Sequence, residues 1–391
     1  MGLDVIPHER DVNNISRLEI KYGRGAFETP NRFVNKHDLN SKSGLGVNVT
    51  LTKMRNLFIN EYRINLETLQ SIQNTNDYLA NVIARLEDEF NRVDNSNALK
   101  ALYFSPNKNV IKKITGGSNI RKNVTDFIID IIENLSTEID LYLFRVELLS
   151  HITLNHFGSD RMTGLLDFLR QNDLIFSPVI PIKNDLAVTN YTESYMKESS
   201  LVPFLSYTYS SYPYARNSYR FIMNRLDKIH EKNKAIITLD APRVASWGAD
   251  VSRIHYSNFV ISDITAESFR IVFDEKGKGN NPTMRFRLFD KDNLSLPELN
   301  NIKKRPEEYW SDVSSEINEN KIEQLFFRII NRSPNAEDIK NNRPVYMSRI
   351  YENIVSTKEY SKMRDSIRTS DLIGYRKSKK EMNSLLEKEQ L

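Results

Sequence analysis

Short apolar segments alternate with amphipathic segments through the middle of the chain. The apolar segments have the length of buried β-strands and run over residues 138–149, 174–182, 201–209, 235–243 and 258–267. Between them, at residues 161–172 and 218–233, apolar residues recur every three or four positions, which is the spacing of one helix face. Nearly continuous apolar strands joined by helices predict a parallel sheet covered on both faces. We therefore predict an α/β fold with a (β/α) barrel-like core.

A doubly wound open sheet is the alternative arrangement of the same elements. Such a sheet commonly carries a GxGxxG turn after its first strand, where the phosphates of a dinucleotide bind. The chain has no GxGxxG turn in that position. For this reason we favour the barrel.

The two ends of the chain differ from this central pattern. Residues 17–34 contain two short β-like segments around Gly23 and Gly25, which is typical of a hairpin. Residues 51–93 have a helical spacing, and from about residue 303 the chain becomes charged and rich in helix-forming residues. We predict one domain over residues 1–300, with an N-terminal hairpin and a helical insertion, and a charged helical C-terminal extension over residues 301–391.

Composition removes several kinds of chemistry. The 391 residues include no cysteine, which excludes disulfides, thiolate nucleophiles, iron–sulfur clusters and cysteine-based zinc sites. The six histidines form no HxH or HExxH arrangement. We predict no metal site and no cofactor.

Charge and hydropathy bear on partners and location. The net charge of +4 permits contact with nucleic acid or a nucleotide without requiring it. No segment approaches 18 uncharged apolar residues, and the N-terminal residues lack the apolar run of a signal peptide. The expectation is a cytoplasmic protein with no membrane partner.

Two aspartates are the candidate catalytic residues. Asp240 ends the apolar segment that begins near residue 235, and Asp263 lies in the segment at 258–267. In parallel α/β folds the reactive groups lie at the carboxyl ends of the strands, where two carboxylates can serve as nucleophile or base and as acid. The alternative is that each aspartate caps the helix or loop that follows it.

Three further residues are candidates for substrate binding. Arg243 follows Asp240 by three residues in a loop stiffened by proline, and it suits either an anion or an ion pair with that aspartate. Arg145 lies in an apolar segment with Glu147 at the same parity, so it either binds substrate in the barrel or forms a salt bridge with Glu147. His255 is either a binding residue or a hydrogen-bonded structural one.

The segment 206–220 is unusually rich in tyrosine and follows a predicted strand. Tyrosine rings stack on bases or sugars and arginines pair with phosphate, which suits a nucleotide or a single-stranded nucleic acid. Alternatively, the tyrosines fill a helix-packing layer or form a contact between copies in a homo-oligomer. The candidate binding residues in this segment are Tyr207, Tyr209, Tyr212, Tyr214, Arg216 and Arg220.

The N-terminal segment LEIKYGRGAFETPNRFV resembles the N-terminal hairpin of the tRNA-guanine transglycosylase superfamily. In that superfamily a Phe/Leu-Glu-Ile start is followed by Gly and by Glu-Thr-Pro. The matching residues, which span less than a tenth of the chain, are Leu18, Glu19, Ile20, Gly25, Glu28, Thr29 and Pro30. The resemblance implies a (β/α)8 barrel that exchanges guanine for a 7-deazaguanine in tRNA or DNA.

The chain departs from the family pattern in two respects. Without cysteine it cannot build the family's zinc site, and the family's Asp-Ser-Gly-x-Phe-Gln base-recognition segment is not visible. The resemblance therefore implies a divergent, zinc-free member in which Asp240 and Asp263 are candidates by position only. The leading hypothesis is a transglycosylase-like enzyme that modifies a base in nucleic acid or a nucleotide, and the alternative is a non-enzymatic binding or assembly protein.

Overall fold

The computed structural model describes residues 2–10, 16–35, 57–74, 77–93, 97–116, 118–149, 164–182, 185–198, 200–209, 212–241, 251–253, 262–267, 289–292, 295–297 and 343–379. The strands in these ranges are β1 (Leu3–Arg10), β2 (Ser16–Tyr22), β3 (Gly25–Glu28), β4 (Asn31–Arg32), β5 (Val34–Asn35), β6 (Leu57–Ile64), β7 (Leu99–Pro106), β8 (Leu141–Arg145), β9 (Phe176–Pro181), β10 (Phe204–Thr208), β11 (Ala235–Ala241), β12 (Val251–Arg253), β13 (Ile264–Glu267) and β14 (Ser295–Pro297).

The helices in the same ranges follow the barrel strands or lie near the C-terminus. They are α1 (Leu66–Asn74), α2 (Asp77–Asn91), α3 (Lys108–Gly116), α4 (Ser118–Leu135), α5 (Val146–Leu149), α6 (Gly164–Gln171), α7 (Asp185–Tyr195), α8 (Tyr212–Glu231), α9 (Arg343–Arg368) and α10 (Leu372–Ser378). Among the described helices, none combines the length and the apolar character needed to cross a membrane.

The central sheet is parallel throughout and forms a nearly closed barrel. Its nine described strands follow the order β4-β13-β11-β10-β9-β8-β7-β6-β5. Only Phe33 separates β4 from β5, so residues 31–35 act as one closing strand that pairs with β13 on one side and with β6 on the other. The backbone N–H of Phe33 donates to the carbonyl of Thr265 at 2.8 Å. The predicted barrel-like α/β fold is confirmed, and the open-sheet alternative does not describe this strand order.

Alternating side chains divide the barrel strands into an inner and an outer face. On β6, Leu57 and Ile59 pack inside the barrel, whereas Phe58 and Tyr62 pack against the surrounding helices. The same alternation continues on β7, where Leu99 and the other odd-numbered residues face inward. This parity is what decides which charged residues reach the barrel interior.

Strand β6 corrects one expectation. Residues 51–93 were expected to be helical throughout, but Leu57–Ile64 is a barrel strand, and helices α1 and α2 follow it. The physical reason is the polar second half of β6, which breaks the apolar run that normally identifies a buried parallel strand.

A small antiparallel sheet covers one end of the barrel. Strand β2 pairs with both β1 and β3, which confirms the predicted N-terminal hairpin and adds a third strand. Leu18 and Ile20 of β2 share a core with Leu57 and Leu99, the first residues of β6 and β7. The sheet therefore lies over the amino-terminal ends of the barrel strands, and the carboxyl ends form the opposite mouth.

The residues that carry the Glu-Thr-Pro motif connect this covering sheet to the closing strand. Thr29 is buried, and its backbone N–H donates to the carbonyl of Leu18 at 2.9 Å while its hydroxyl accepts from the N–H of Leu18 at 3.0 Å. The carbonyl of Pro30 accepts from Nη1 of Arg364 at 2.8 Å. In this structure the motif fixes the point at which the chain enters the barrel.

Helix α9 of the C-terminal region packs on the covering sheet and on the closing strand. Arg32 on the outer face of β4 and Glu352 of α9 form a buried ion pair with 3.4 Å between Nη1 and Oε1, and their side chains are 5% and 1% exposed. Helices α9 and α10 fall within the predicted helical extension, while the division of the chain at residue 300 stays a prediction. The ion pair links that extension to the strand that closes the barrel.

We predict that Glu352→Gln lowers the free energy of unfolding by about 3 kcal/mol, because the charge of Arg32 then lies buried without its carboxylate. Denaturant unfolding of the purified variant measures the change. The control is Asp365→Asn, which removes an exposed carboxylate from the same helix and should cost less than about 1 kcal/mol. Equal effects of the two substitutions would contradict the assigned role of the buried pair.

Candidate functional site

The carboxyl-end mouth of the barrel is the candidate site. The covering sheet occupies the opposite end, and in parallel barrels the loops that carry chemistry converge at the carboxyl ends of the strands. By strand parity, the inward positions near this mouth include Glu61 and Arg63 of β6, Tyr103 and Ser105 of β7, and Arg145 of β8. These residues replace the apolar side chains that fill the lower layers.

Glu61 and Arg63 form an ion pair along one strand. Nε of Arg63 lies 2.6 Å from Oε2 of Glu61. The carboxylate side chain is only 6% exposed, whereas the guanidinium side chain is 47% exposed. The buried acid therefore holds an arginine whose outer part faces solvent at the mouth. The sequence analysis missed both residues, although their matching parity around Tyr62 was a usable signal.

Arg145 ends β8 and is held by Glu147 in a two-point contact. Nε and Nη2 of Arg145 lie 3.1 and 2.7 Å from the two carboxylate oxygens of Glu147. The strand stops at Arg145 and helix α5 begins at Val146, so Glu147 is helical. The salt bridge that the sequence offered as an alternative is present, and a substrate-binding role for Arg145 stays a prediction.

Asp240 and Glu267 lie at the carboxyl ends of two neighbouring strands. Asp240 is the penultimate residue of β11, and the next residue, Ala241, is the register partner of Glu267 at the end of β13. The side chains of these two acids lie outside the described set, so their placement rests on the backbone. Ile264 and Ala266 of β13 belong to the inner core, which gives Glu267 outward parity, and the register of β11 is irregular between Thr238 and Ala241. Glu267 was missed because the sequence analysis placed emphasis on Asp263 in the same apolar segment.

Asp263 does not lie at the mouth, which corrects the expectation for this residue. It immediately precedes β13 and is buried at the amino-terminal end of the barrel. Its Oδ2 lies 3.0 Å from Nε2 of His230 and accepts from the backbone N–H of Ile236 at 2.7 Å. The apolar segment 258–267 was taken as one strand, but the described strand begins only after Asp263. Its contacts are those of a structural carboxylate.

The tyrosine-rich segment is divided between packing and surface. Tyr207 lies on the outer face of β10, where its hydroxyl is 2.9 Å from that of Thr192, and burial raises its pKa. Tyr219 is also buried, which matches the packing alternative for these two rings. Tyr209 is half-buried, and burial raises its pKa as well.

The remaining candidates in this segment lie on or near α8. Arg216 and Arg220 are exposed on the helix, while the side chains of Tyr212 and Tyr214 lie outside the described set. Ser218 donates a short hydrogen bond to Oδ1 of Asp185, and Asn217 donates to its Oδ2 at 3.1 Å. These bonds tie the start of α8 to the start of α7, beside the mouth.

Two candidate residues from the sequence, and the possibility of a metal site, are considered last. Arg243 and His255 lie outside the described residues. Within the described ranges, no group of three or more His, Cys, Asp or Glu side chains is placed to hold a metal ion. What the described mouth offers is a set of oriented guanidinium groups and strand-end acids.

We predict that Tyr207→Phe lowers the free energy of unfolding by about 1 kcal/mol and leaves nucleotide and nucleic-acid binding unchanged, because the lost hydroxyl bonds Thr192 behind the sheet. Denaturant unfolding and a binding titration measure the two effects. A double-mutant cycle with Thr192→Val should return a coupling energy of similar size. Weaker binding with unchanged stability would instead place Tyr207 in the binding surface.

Comparisons with known proteins add no family. A scan against protein-family models and a search of curated proteins both found no match to this chain. The resemblance of the N-terminal segment therefore remains a hypothesis, and inferences about function rest on the geometry of the mouth.

Proposed function

We propose that this chain is a base-modifying enzyme that exchanges a nucleobase in nucleic acid or a nucleotide at the carboxyl-end mouth of the barrel. The observation that carries the proposal is the pairing of two features in one fold. The resemblance implies a hairpin paired with a barrel, and here an antiparallel sheet covers the amino-terminal end of a parallel barrel. The other end combines strand-end acids with arginines held in ion pairs. Because barrels support many kinds of chemistry, the proposal depends on the acids and arginines at the mouth and not on the fold.

The strand-end acids Asp240 and Glu267 suit a two-step displacement. In the first step one carboxylate oxygen forms a bond to C1′ of the ribose, and the bond from C1′ to the base nitrogen breaks. Its electron pair leaves with the base, which takes a proton from the second acid. In the second step the incoming base nitrogen bonds to C1′, displaces the carboxylate and returns its proton to the second acid. From the strand-end positions of their backbones alone, we assign Asp240 as nucleophile and Glu267 as the acid and base.

The surface beside the mouth suits a nucleic-acid strand. Arg216 and Arg220 are exposed one helical turn apart on α8, which begins shortly after β10 ends. Tyr209 at the end of β10 offers a ring that is partly accessible. Arginine binds phosphate and tyrosine stacks on bases, so this edge of the mouth has the groups that single strands use.

We predict that Asp240→Asn lowers base exchange at least about 100-fold, because an amide oxygen is a poor nucleophile toward C1′. Incorporation of radiolabelled guanine into tRNA, single-stranded DNA and duplex DNA measures the exchange. Glu267→Gln should also slow it strongly, by removing the proton donor. Asp365→Asn, which neutralises an exposed carboxylate on α9, is the matched control and should retain full activity.

Two results would reject the reaction. One is the absence of exchange by the unaltered protein with every nucleic acid and with free nucleotides. The other is an unaltered exchange rate in both Asp240→Asn and Glu267→Gln.

A separate prediction concerns the exposed arginines. The double variant Arg216→Ala, Arg220→Ala should bind single-stranded nucleic acid more weakly. Because two phosphate contacts are lost, the slope of log affinity against log salt concentration should become shallower by about 1.4. A fluorescence anisotropy titration across a salt series measures both. The control Arg92→Ala, Arg368→Ala removes two exposed arginines that lie outside α8 and should leave the slope unchanged.

No binding of any nucleic acid at low salt would contradict this prediction. It would favour the alternative of a binding or assembly protein whose tyrosine-rich segment and charged C-terminal region contact other proteins.

A further inference from the structure

Arg63 at the mouth uses only part of its hydrogen-bonding capacity in its contact with Glu61. Glu61 contacts Arg63 through Nε, at 2.6 Å, and the guanidinium side chain remains 47% exposed. Among the described residues no further partner of the Nη1 and Nη2 groups is recorded. Those two groups form the edge of the guanidinium plane that binds two oxygens of a phosphate at once.

The low exposure of the Glu61 side chain distinguishes this pair from an ordinary surface salt bridge. Asp88 of α2 and Arg92, which follows the helix, form a pair in which both side chains are exposed, so neither one fixes the other. Glu61 is 6% exposed on the inner face of a barrel strand, and its carboxylate holds the guanidinium from below. An arginine that is already oriented loses less conformational freedom when it binds an anion.

Ser105 adds a second donor beside Arg63. The two residues are register partners on the adjacent parallel strands β6 and β7, about 4.8 Å apart in the hydrogen-bonding direction, and both have inward parity. Ser105 is half-buried near the end of its strand. A hydroxyl next to a forked guanidinium is a donor set that suits a phosphate group.

The position of this pair relative to the strand-end acids suits one nucleotide. Around the barrel, β6 is separated from β13 only by the closing strand, and from β11 by β13 and the closing strand. The interior of a barrel of this size is filled by side chains or holds one small ligand. Arg63 therefore lies at the same mouth as the carboxyl ends of β11 and β13.

We propose that Arg63, oriented by Glu61 and assisted by Ser105, binds the phosphate of the nucleotide unit whose base enters the barrel. The proposal rests on the proposed function for the identity of the ligand. The phosphate belongs either to a free nucleotide or to the backbone of a nucleic-acid strand, because both present the same oxygens. Arg63 is a binding residue, and Glu61 is a positioning residue that acts through it.

Binding of matched ligands with and without phosphate tests the proposal. Isothermal titration compares guanosine 5′-monophosphate with guanosine, and fluorescence anisotropy compares a labelled single-stranded trinucleotide with a neutral methylphosphonate version. The unaltered protein should prefer the phosphate form in at least one comparison. Arg63→Gln should lower that preference at least about ten-fold and leave guanosine affinity unchanged. Arg92→Gln is the matched control and should behave like the unaltered protein.

Two further variants separate orientation from charge. Arg63→Lys keeps the charge but loses the fork, and Ser105→Ala removes the second donor, so both should lower the phosphate preference by a smaller factor. Glu61→Gln should also weaken phosphate binding, because the arginine loses its support. If net charge alone mattered, this neutralisation would strengthen binding, and that result would overturn the positioning role of Glu61. Should Arg63→Gln fail to fold, Arg63→Lys and Ser105→Ala carry the test.

The outcomes distinguish a free nucleotide from a nucleic-acid strand as the source of the phosphate. They also test the phosphate site separately from the base-exchange reaction. A preference confined to the monophosphate indicates a free nucleotide, and one confined to the trinucleotide indicates a strand. An unaltered preference in Arg63→Gln, or no preference in the unaltered protein, overturns the phosphate site even if base exchange occurs. A preference that Arg63→Gln abolishes, without any base exchange, leaves the phosphate site standing and rejects the reaction.

Discussion

Closure of the barrel depends on a single short strand at residues 31–35. This segment has to pair with β13 on one side and β6 on the other, yet only two residues of β4 and two of β5 make these ladders. Backbone pairing over so short a length contributes little by itself. Two contacts from outside the barrel support it. Thr29 anchors its start to β2, and the buried pair of Arg32 and Glu352 fixes its outer face to α9.

The same closure explains why the two ends of the barrel differ in character. The covering sheet reaches the closing strand through Thr29 and Pro30, so the amino-terminal end is sealed by Leu18 and Ile20. Charged groups that remain at that end, such as Asp263, are engaged by backbone and side-chain partners. At the carboxyl end the Arg63 side chain is 47% exposed, so solvent offsets part of the cost of placing its charge there. The described ion pair of Glu61 and the partly exposed Arg63 is therefore found at the mouth.

The sequence was sufficient to predict the barrel but not the position of every site residue. Strands β8 to β11 are nearly continuous apolar runs, and their alternation with helices led directly to a parallel sheet. Strand β6 was hidden because Glu61 and Arg63, which have inward parity near the mouth, make its second half polar. Asp263 was misplaced since the apolar run around it extends beyond the strand. Tyr207 faces the helices because it lies on the outer face of β10. The sequence analysis treated it as part of the segment after the strand and so could not use strand parity.

Asp263 and Arg63, the residue proposed to bind phosphate, differ in how much of each side chain is exposed to solvent. Asp263 is almost fully buried, and its carboxylate contacts His230 and the N–H of Ile236 inside the protein. Glu61 contacts Arg63 through one nitrogen, and nearly half of the arginine side chain is exposed to solvent. Burying Glu61 costs free energy that a simple surface pair would avoid. That cost has a physical purpose if the carboxylate serves to aim the arginine at a ligand, and a solvent-facing edge at the open end of the barrel is where a ligand would meet it.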